Sequence, residues 1–143
     1  MTMKRLKSQR GAALLETAIT IPLILLVSVS IFEFGRAYQT WQVLTNAARE
    51  GARIAIIAGV SDTQVTAAVR NYMTSGSLPN AGTASISIVR NVPFTGTNTA
   101  SSITVSYPFQ FMVLNPVIRL VQAGSTTGQG TTTMTAVATM RNE

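Results

Sequence analysis

The sequence AALLETAITIPLILLVSVSIF, residues 12–32, decides the fold of this chain because it is apolar almost throughout. A helix of this length extends ~31 Å, which matches the hydrocarbon core of a lipid bilayer. Its only charged residue is Glu16, and charges return on the far side at Glu33 and Arg36. The run therefore predicts a membrane-spanning helix, and we place the transmembrane segment at residues 12–36.

The charges that flank this run predict its orientation. Four of the eleven basic residues of the chain precede Gly11, whereas no acidic residue does. These four are Lys4, Arg5, Lys7 and Arg10. The far flank has one cation, Arg36, so the positive-inside rule places residues 1–10 in the cytoplasm. We expect everything after about residue 36 to be exported.

A cleavable secretory signal also combines a basic head with an apolar run. Its apolar core is usually roughly 7–15 residues long and is followed by a small-x-small cleavage site. The run here is longer, and no Ala-x-Ala sequence follows it. We therefore interpret it as a retained anchor, and the simplest alternative is a signal anchor without any further role.

The composition excludes several classes of function. The chain has neither His nor Cys, which excludes thiol catalysis, histidine-based acid–base chemistry, disulfides and the common zinc sites. The net charge of +6 comes largely from the basic head, and the other Arg residues are scattered singly, so we expect no nucleic-acid partner. Glu50, Asp62 and Glu143 are far apart in sequence and show no paired-carboxylate pattern. We predict no enzyme activity, no small-molecule substrate, no metal and no cofactor.

Helical periodicity continues beyond the anchor, over residues 37–58. Apolar and small residues recur there at helical spacing. They form two stripes: Tyr38, Trp41, Leu44, Ala48 and Ala55, and a ridge of small residues at Ala47, Gly51, Ala55 and Gly59. The ridge predicts a closely packed neighbour, either the sheet of this chain or another subunit. If the helix continues from the anchor, Pro22 and Gly35 are the positions at which we expect a bend.

The remaining sequence predicts a second helix and a small sheet. The helix covers residues 62–73, where Ser61 and Gln64 have the spacing of a capping box. From residue 82 the pattern changes to the alternation typical of strands. Alternation marks three strands, at 85–88, 103–107 and 133–140. The connections are 91–101 and 108–130, and the second of them contains a short helix around 116–122 and a flexible tract at Gly124–Gly130. The exported domain, residues 37–143, is thus predicted to be α+β, with an antiparallel three-stranded sheet in its β-rich part, 82–143.

The sequence around Gly11 resembles the processing site of type IV prepilins. Gly11 follows the basic head, and Glu16 is the fifth residue after it. The resemblance implies that a membrane-embedded prepilin peptidase cuts between Gly11 and Ala12 and removes the leader 1–11. The new α-amine of Ala12 is then cationic. In a filament it can pair with Glu16 of a neighbouring subunit, which reduces the desolvation penalty of both charges.

A second resemblance rests on the octapeptide NAAREGAR, residues 46–53. Its signature positions are Asn46, Arg49, Glu50, Gly51 and Arg53, and further matching residues are Arg10, Gly11, Glu16, Pro22, Glu33 and Arg36. Segment 10–59 thereby resembles the TadE-like family, pilin-like proteins of the tight-adherence (Flp) pilus assembly system, and residues 138–143 resemble its C-terminal strand more loosely. The resemblance implies a single-pass protein of the bacterial inner membrane with a pilin-like fold. The implied partners are a prepilin peptidase, other pilin-like subunits and pilus assembly platform proteins.

Two classes of function are open from the sequence. The first is a minor pilin or pseudopilin that takes part in assembling an Flp-type pilus for cell adhesion, with a pseudopilin of a related secretion apparatus as a variant. The second is a signal-anchored envelope binding module that is neither processed nor polymerised. Loss of residues 1–11 from the mature protein distinguishes the two classes.

Overall fold

The computed structural model describes residues 4–95, 98–113, 115–116 and 131–142. The described part contains two α-helices, a short 3₁₀ helix and one sheet. In chain order the elements are α1 (Lys4–Ala55), α2 (Asp62–Ser75), the 3₁₀ helix (Ala81–Thr83), β1 (Ser85–Thr95), β2 (Asn98–Phe109) and β3 (Thr132–Arg141). This confirms the α+β class, with one long apolar helix, a second short helix and a three-stranded antiparallel sheet.

Helix α1 is continuous over 52 residues, which corresponds to ~78 Å. It passes through Pro22 and Gly35 without interruption, although both were positions of an expected bend. It ends at Ala55, three residues before the predicted end. Arg90 explains the stop, because its Nη1 donates to the Ala55 carbonyl (2.7 Å) and takes one of the acceptors that a further turn would use.

The sheet has the order β1-β2-β3, with every neighbouring pair antiparallel. Strands β1 and β2 occupy most of the 91–101 region, which the sequence predicted as a connection. Two residues of β1, Arg90 and Asn91, oppose Ser101 alone, and Asn91 has φ +57°. This β-bulge accommodates the turn-prone Asn91 without ending the strand.

One face of the sheet packs on the second half of α1, as the alternation predicted. The central strand β2 turns Ile103, Val105 and Tyr107 inward, and all three are buried. Its other face carries small hydroxyl side chains, with Ser106 paired to Thr135 across the strands. A strand that is apolar on one face and rich in Ser and Thr on the other suits a sheet with one covered side.

The ridge of small residues on α1 packs inside the chain. Ala47 and Gly51 are buried. A Cβ built on Gly51 would lie 2.6 Å from Val69 Cγ2 of α2 and 3.3 Å from Ile103 Cγ2 of β2. The ridge ends at Ala55. This favours the first of the two predicted neighbours, the chain's own elements.

Helix α2 begins as the sequence predicted. The Ser61 side chain accepts from the Gln64 backbone N–H, and the Gln64 side chain accepts from the Ser61 N–H, which confirms the capping box. The helix extends to Ser75, two residues beyond its last periodic apolar residue, and ends near Ser75-Gly76 as the sequence predicted. The predicted short helix around 116–122, apart from its first residue, and the tract Gly124–Gly130 lie outside the described residues.

Candidate functional site

The first half of α1, residues 11–32, is apolar and almost entirely uncovered. Its most apolar window has a mean hydropathy of 2.2, and none of that window is buried in the protein. In the described part of the chain, α1 is the one helix long and apolar enough to cross a membrane. An apolar surface on all sides of a helix suits lipid rather than water. The segment therefore indicates a membrane anchor at the N-terminal end of the protein.

Glu16 is the exception among the polar side chains of this half. The four hydroxyl residues bond to the backbone carbonyl one turn earlier, which satisfies their donors: they are Thr17, Thr20, Ser28 and Ser30. The Glu16 side chain is exposed and is bonded to no other described side chain. A carboxylate on a lipid-facing helix costs roughly 2.5–3.5 kcal/mol at the centre of the bilayer. It requires either headgroup water or a cation.

The predicted cleavage point lies within the helix. Gly11 and Ala12 are both exposed, and a Cβ built on Gly11 would meet no other atom within 4 Å. Proteases read an extended backbone, so cleavage here requires local unwinding. Gly11 lowers the cost of that unwinding by about 1 kcal/mol relative to Ala. The backbone of residues 4–10 is helical, but the basic side chains of Lys4, Arg5, Lys7 and Arg10 lie outside what the structure describes.

At the other end of the apolar run, Glu33 is buried rather than exposed at a membrane flank. None of its surface is accessible, and its Oε2 accepts from the Met112 backbone N–H at 2.7 Å. Its Oε1 has no hydrogen-bond partner among the described residues. Arg36, which the sequence predicted as a flanking cation, lies one turn further on, with its Nη2 3.7 Å from Glu33 Oε2.

Arg36 and Glu33 hold the segment Gln110–Val113, which we call the strap, against α1. The Arg36 guanidinium donates to the Gln110 carbonyl and lies 4.9 Å from the centre of the Phe109 ring. Phe111 packs edge-to-face with Phe109 (5.1 Å between ring centres) and with Phe34 (6.0 Å). The strap is therefore fixed to the helix by two polar contacts and by aromatic packing at the junction between the apolar run and the folded domain.

The octapeptide 46–53 divides into two sides of α1. Gly51 and the three alanines face the interior, whereas Arg49 and Arg53 are exposed and Asn46 and Glu50 are half-buried. Arg53 donates to both carboxylate oxygens of Glu50, at 2.6 and 2.9 Å. These hydrogen bonds lower the pKa of Glu50 and raise the pKa of Arg53.

The structure thus separates the signature residues by role. Asn46 has only a long contact to Arg49, 3.5 Å between Oδ1 and Nη1. The interior positions carry the packing of α1 against α2 and the sheet, and the charged positions lie on the outer surface. The predicted processing and assembly residues at 11–16 are distant in sequence from this surface, and Arg36 lies between the two. The predicted site residues whose side chains the structure describes therefore form three separate groups along α1: residues 11–16, Arg36 and the octapeptide 46–53.

A cleft of about 590 Å³ lies beside Arg36, between α1, the 3₁₀ helix and the end of β2. Tyr107 lines it and donates from its hydroxyl to the Pro79 carbonyl. Burial raises the pKa of Tyr107, and the nearby Arg36 charge partly opposes this shift. In the described chain, no group of three or more metal-ligating side chains occurs, at this cleft or elsewhere.

Sequence reasoning missed the junction because it treated Glu33 as a boundary residue. A signal was available: the buried stripe of α1 runs through Glu33, Ala37, Thr40 and Leu44, at spacings of four and three residues. Tyr38 and Trp41 were predicted to share a stripe with Leu44, but both are exposed because they fall beside this line.

Comparison with known proteins bears on this helix alone. The family model described as TadE-like protein matches residues 11–53, from Gly11 to the last residue of the octapeptide. No curated protein and no solved structure matches the chain significantly. The match covers both Glu16 and the signature at 46–53, and so confirms the resemblance inferred from them. Over residues 11–53 the long helix of this chain is therefore similar to that of TadE-like proteins, a family associated with tight-adherence (Flp) pilus systems.

Proposed function

We propose that the protein is a minor pilin or pseudopilin that takes part in assembling an Flp-type type IV pilus after a prepilin peptidase removes residues 1–11. The observation that carries this proposal is Glu16. It is an exposed carboxylate on an exposed apolar helix, five residues after Gly11. In this reading the N-terminus is cytoplasmic, the exported domain lies outside the inner membrane, and the role is structural rather than enzymatic.

The chemistry of the proposal is a charge pair between subunits. Cleavage after Gly11 gives Ala12 a cationic α-amine. Ala12 and Glu16 are four residues apart, so they lie on the same face of the helix. When two such helices pack in register, the amine of one can reach the carboxylate of the other. The pairing compensates both charges for the loss of water, which neither could tolerate alone in lipid.

The uncovered first half of α1 supports a partner that is itself a pilin-like subunit. The large apolar side chains of this half are exposed, and among residues 11–32 only Val29 and Ser30 are half-covered. Lipid covers them in the membrane, and helices of other pilin-like subunits would cover them once the protein leaves it. Pilus assembly platform proteins would receive the same surface. The exported domain would then determine where the subunit stands in the filament.

One observation favours the alternative, an unprocessed signal-anchored binding module. Helix α1 continues through Gly11 and Ala12 without a break, so the scissile bond is not presented in an extended form. If the chain keeps its leader, no free amine forms at Ala12 and Glu16 has no partner of the proposed kind. Processing is therefore the first step to measure.

Processing is tested with Gly11→Val, and Gly35→Val is the matched control. Both glycines are exposed in α1, and a Cβ at either meets nothing within 4 Å, so the two variants perturb the fold equally little. We expect Gly11→Val to retain residues 1–11 and Gly35→Val to be cleaved like wild type. The measurement is the intact mass and N-terminal sequence of protein extracted from cells with and without the peptidase. Equal masses for wild type and Gly11→Val would reject processing after Gly11.

Assembly is tested with Glu16→Leu, and Thr20→Leu, one turn further along the same face, is the control. We expect Glu16→Leu to be made, inserted and cleaved, yet to fail to co-purify with pilin-like partners or to support pili. Glu16→Asp should be nearly as defective, because its shorter side chain withdraws the carboxylate. Thr20→Leu should assemble normally. Normal pili in Glu16→Leu cells would mean that the carboxylate only reaches headgroup water, and the simple anchor would then be the better interpretation.

A further inference from the structure

The level of the strap relative to the membrane follows from its contact with Glu33 of α1. Val29 and Ser30 are the first half-covered residues of α1, and they lie inside the apolar run 12–32. Side chains of a helix tilt toward its N-terminus, so the carboxylate of Glu33 reaches back to the level of that last apolar turn. The hydrogen bond from the Met112 N–H places the strap backbone at this level. Because the run only just spans the hydrocarbon core, its last turn lies at the outer edge of that core.

The second half of the strap presents an apolar surface, whereas Gln110 at its start is exposed and polar. Met112 is 66 % exposed and Val113 is 42 % exposed, although both are large hydrophobic residues. Phe34, also exposed, contacts Phe111, so the strap surface continues directly into the apolar surface of α1. A contiguous exposed apolar patch indicates a contact with lipid or protein rather than with water.

Two backbone groups of the strap have partners on α1. Irregular backbone at membrane depth must find partners within the protein, since no water is available there. Glu33 accepts the Met112 N–H, and Arg36 donates to the Gln110 carbonyl. Ionisable side chains beside a membrane span normally face protein rather than lipid. Both charges of α1 at this level, Glu33 and Arg36, contact the strap.

We infer that the strap, Gln110–Val113, lies in the outer leaflet of the membrane and that Met112 and Val113 contact lipid. The exported domain would then rest on the bilayer through this second contact and not through α1 alone. The continuity of the patch with the spanning segment favours lipid over a second copy of the chain. The inference requires that α1 spans the membrane, but it does not require processing or a pilus.

The chain contains no Cys, so single cysteines can be introduced without removing any. Met112→Cys and Val113→Cys test the strap, and only the backbone N–H of Met112 is used to bond Glu33, so that bond is retained. Leu23→Cys (60 % exposed, in the span) is the lipid reference, and Val137→Cys (60 % exposed, on the outer face of the sheet) is the water reference. Full-length protein is reconstituted in phosphatidylcholine–phosphatidylglycerol vesicles at high lipid excess and labelled with a solvatochromic thiol dye.

We expect the emission at positions 112 and 113 to be blue-shifted toward that at 23, and to be quenched by a quencher attached to outer-leaflet lipids rather than by iodide. Position 137 should show the reverse. Emission and quenching at 112 and 113 that match position 137 would overturn the inference. Protection from both quenchers would also overturn it and would identify a protein neighbour instead. A water-like signal at position 23 would reject the spanning role of α1 and the strap inference together, while leaving the result of the Gly11 experiment unaffected.

Discussion

The two halves of α1 are both rich in apolar residues but are covered in opposite ways. In residues 11–32, large side chains such as Leu23 and Ile24 project on all sides and are exposed. In residues 33–55, the covered residues are mostly small and follow one stripe, while charges and aromatics occupy the rest of the surface. A helix that is apolar all round suits lipid, and a helix with one apolar stripe suits a folded domain.

The difference shows that the size and spacing of the apolar side chains, rather than their hydrophobicity, indicate which part of such a helix packs against protein. Small residues allow α2 and β2 to approach the backbone of the second half closely, as the Val69 contact at Gly51 demonstrates. The first half needs no such residues, because lipid tails adapt to any side-chain shape. Changes matched between the two halves therefore test the comparison directly.

The largest expected difference is between Leu44→Ala and Leu23→Ala. Leu44 is fully buried between α1 and the rest of the domain, so its truncation should lower the free energy of unfolding by about 2–5 kcal/mol. Leu23 lies in the exposed half, and its truncation should leave unfolding of the folded domain unchanged. The measurement is urea unfolding in detergent micelles, followed by the fluorescence of Trp41, the single tryptophan. Equal losses for the two variants would contradict the division of α1 into a lipid half and a protein half.

Alanine substitutions at two glycines are expected to have smaller effects on the free energy of unfolding, and the two effects should have opposite signs. Gly51→Ala places a Cβ 2.6 Å from Val69 Cγ2, so the neighbours must shift at a cost of about 1–3 kcal/mol. Gly35→Ala meets nothing within 4 Å and should stabilise the helix by up to about 1 kcal/mol. The same unfolding assay compares them. Stabilisation by both substitutions would mean that α2 does not pack against Gly51 as described.

The smallest effect concerns the Glu50–Arg53 pair on the outer surface. Hydrogen bonds from Arg53 lower the pKa of Glu50 in the folded state, so the pair stabilises the fold above the unfolded pKa of about 4.3 and loses this contribution as pH falls through the folded pKa. Glu50→Gln should therefore be slightly less stable than wild type at pH 7, and the difference should shrink as the pH falls to 3. Unfolding midpoints at the two pH values provide the measurement. A difference that persists unchanged at pH 3 would assign the effect of Glu50 to packing instead.

Local patterns were sufficient to predict much of this fold. The length of the apolar run predicted the anchor, Ser61 and Gln64 predicted the start of α2, and alternation predicted three strands. The burial of Glu33 could not be predicted in this way, since its partner Met112 is 79 residues away in sequence. The bulge at Asn91 was missed for a related reason, because pairing with β2 outweighs the turn preference of that residue. Gly11 and Glu16 remain predictions from spacing, which no intramolecular contact tests.

The attachment of the folded domain along the side of α1 has a mechanical consequence. The contacts extend from Glu33 to Ala55, ~34 Å of helix, and run parallel to the helix axis. A pull on the membrane end of α1 therefore loads them in shear, many at once, instead of opening them one after another. Arg90 reinforces the far end of this contact, because its guanidinium donates to the carbonyls of Ala55 and Val60 and to the Asp62 carboxylate. Resistance to force is governed by the unfolding barrier rather than by equilibrium stability, so variants of Arg90 should weaken the molecule under tension more than they weaken it at rest.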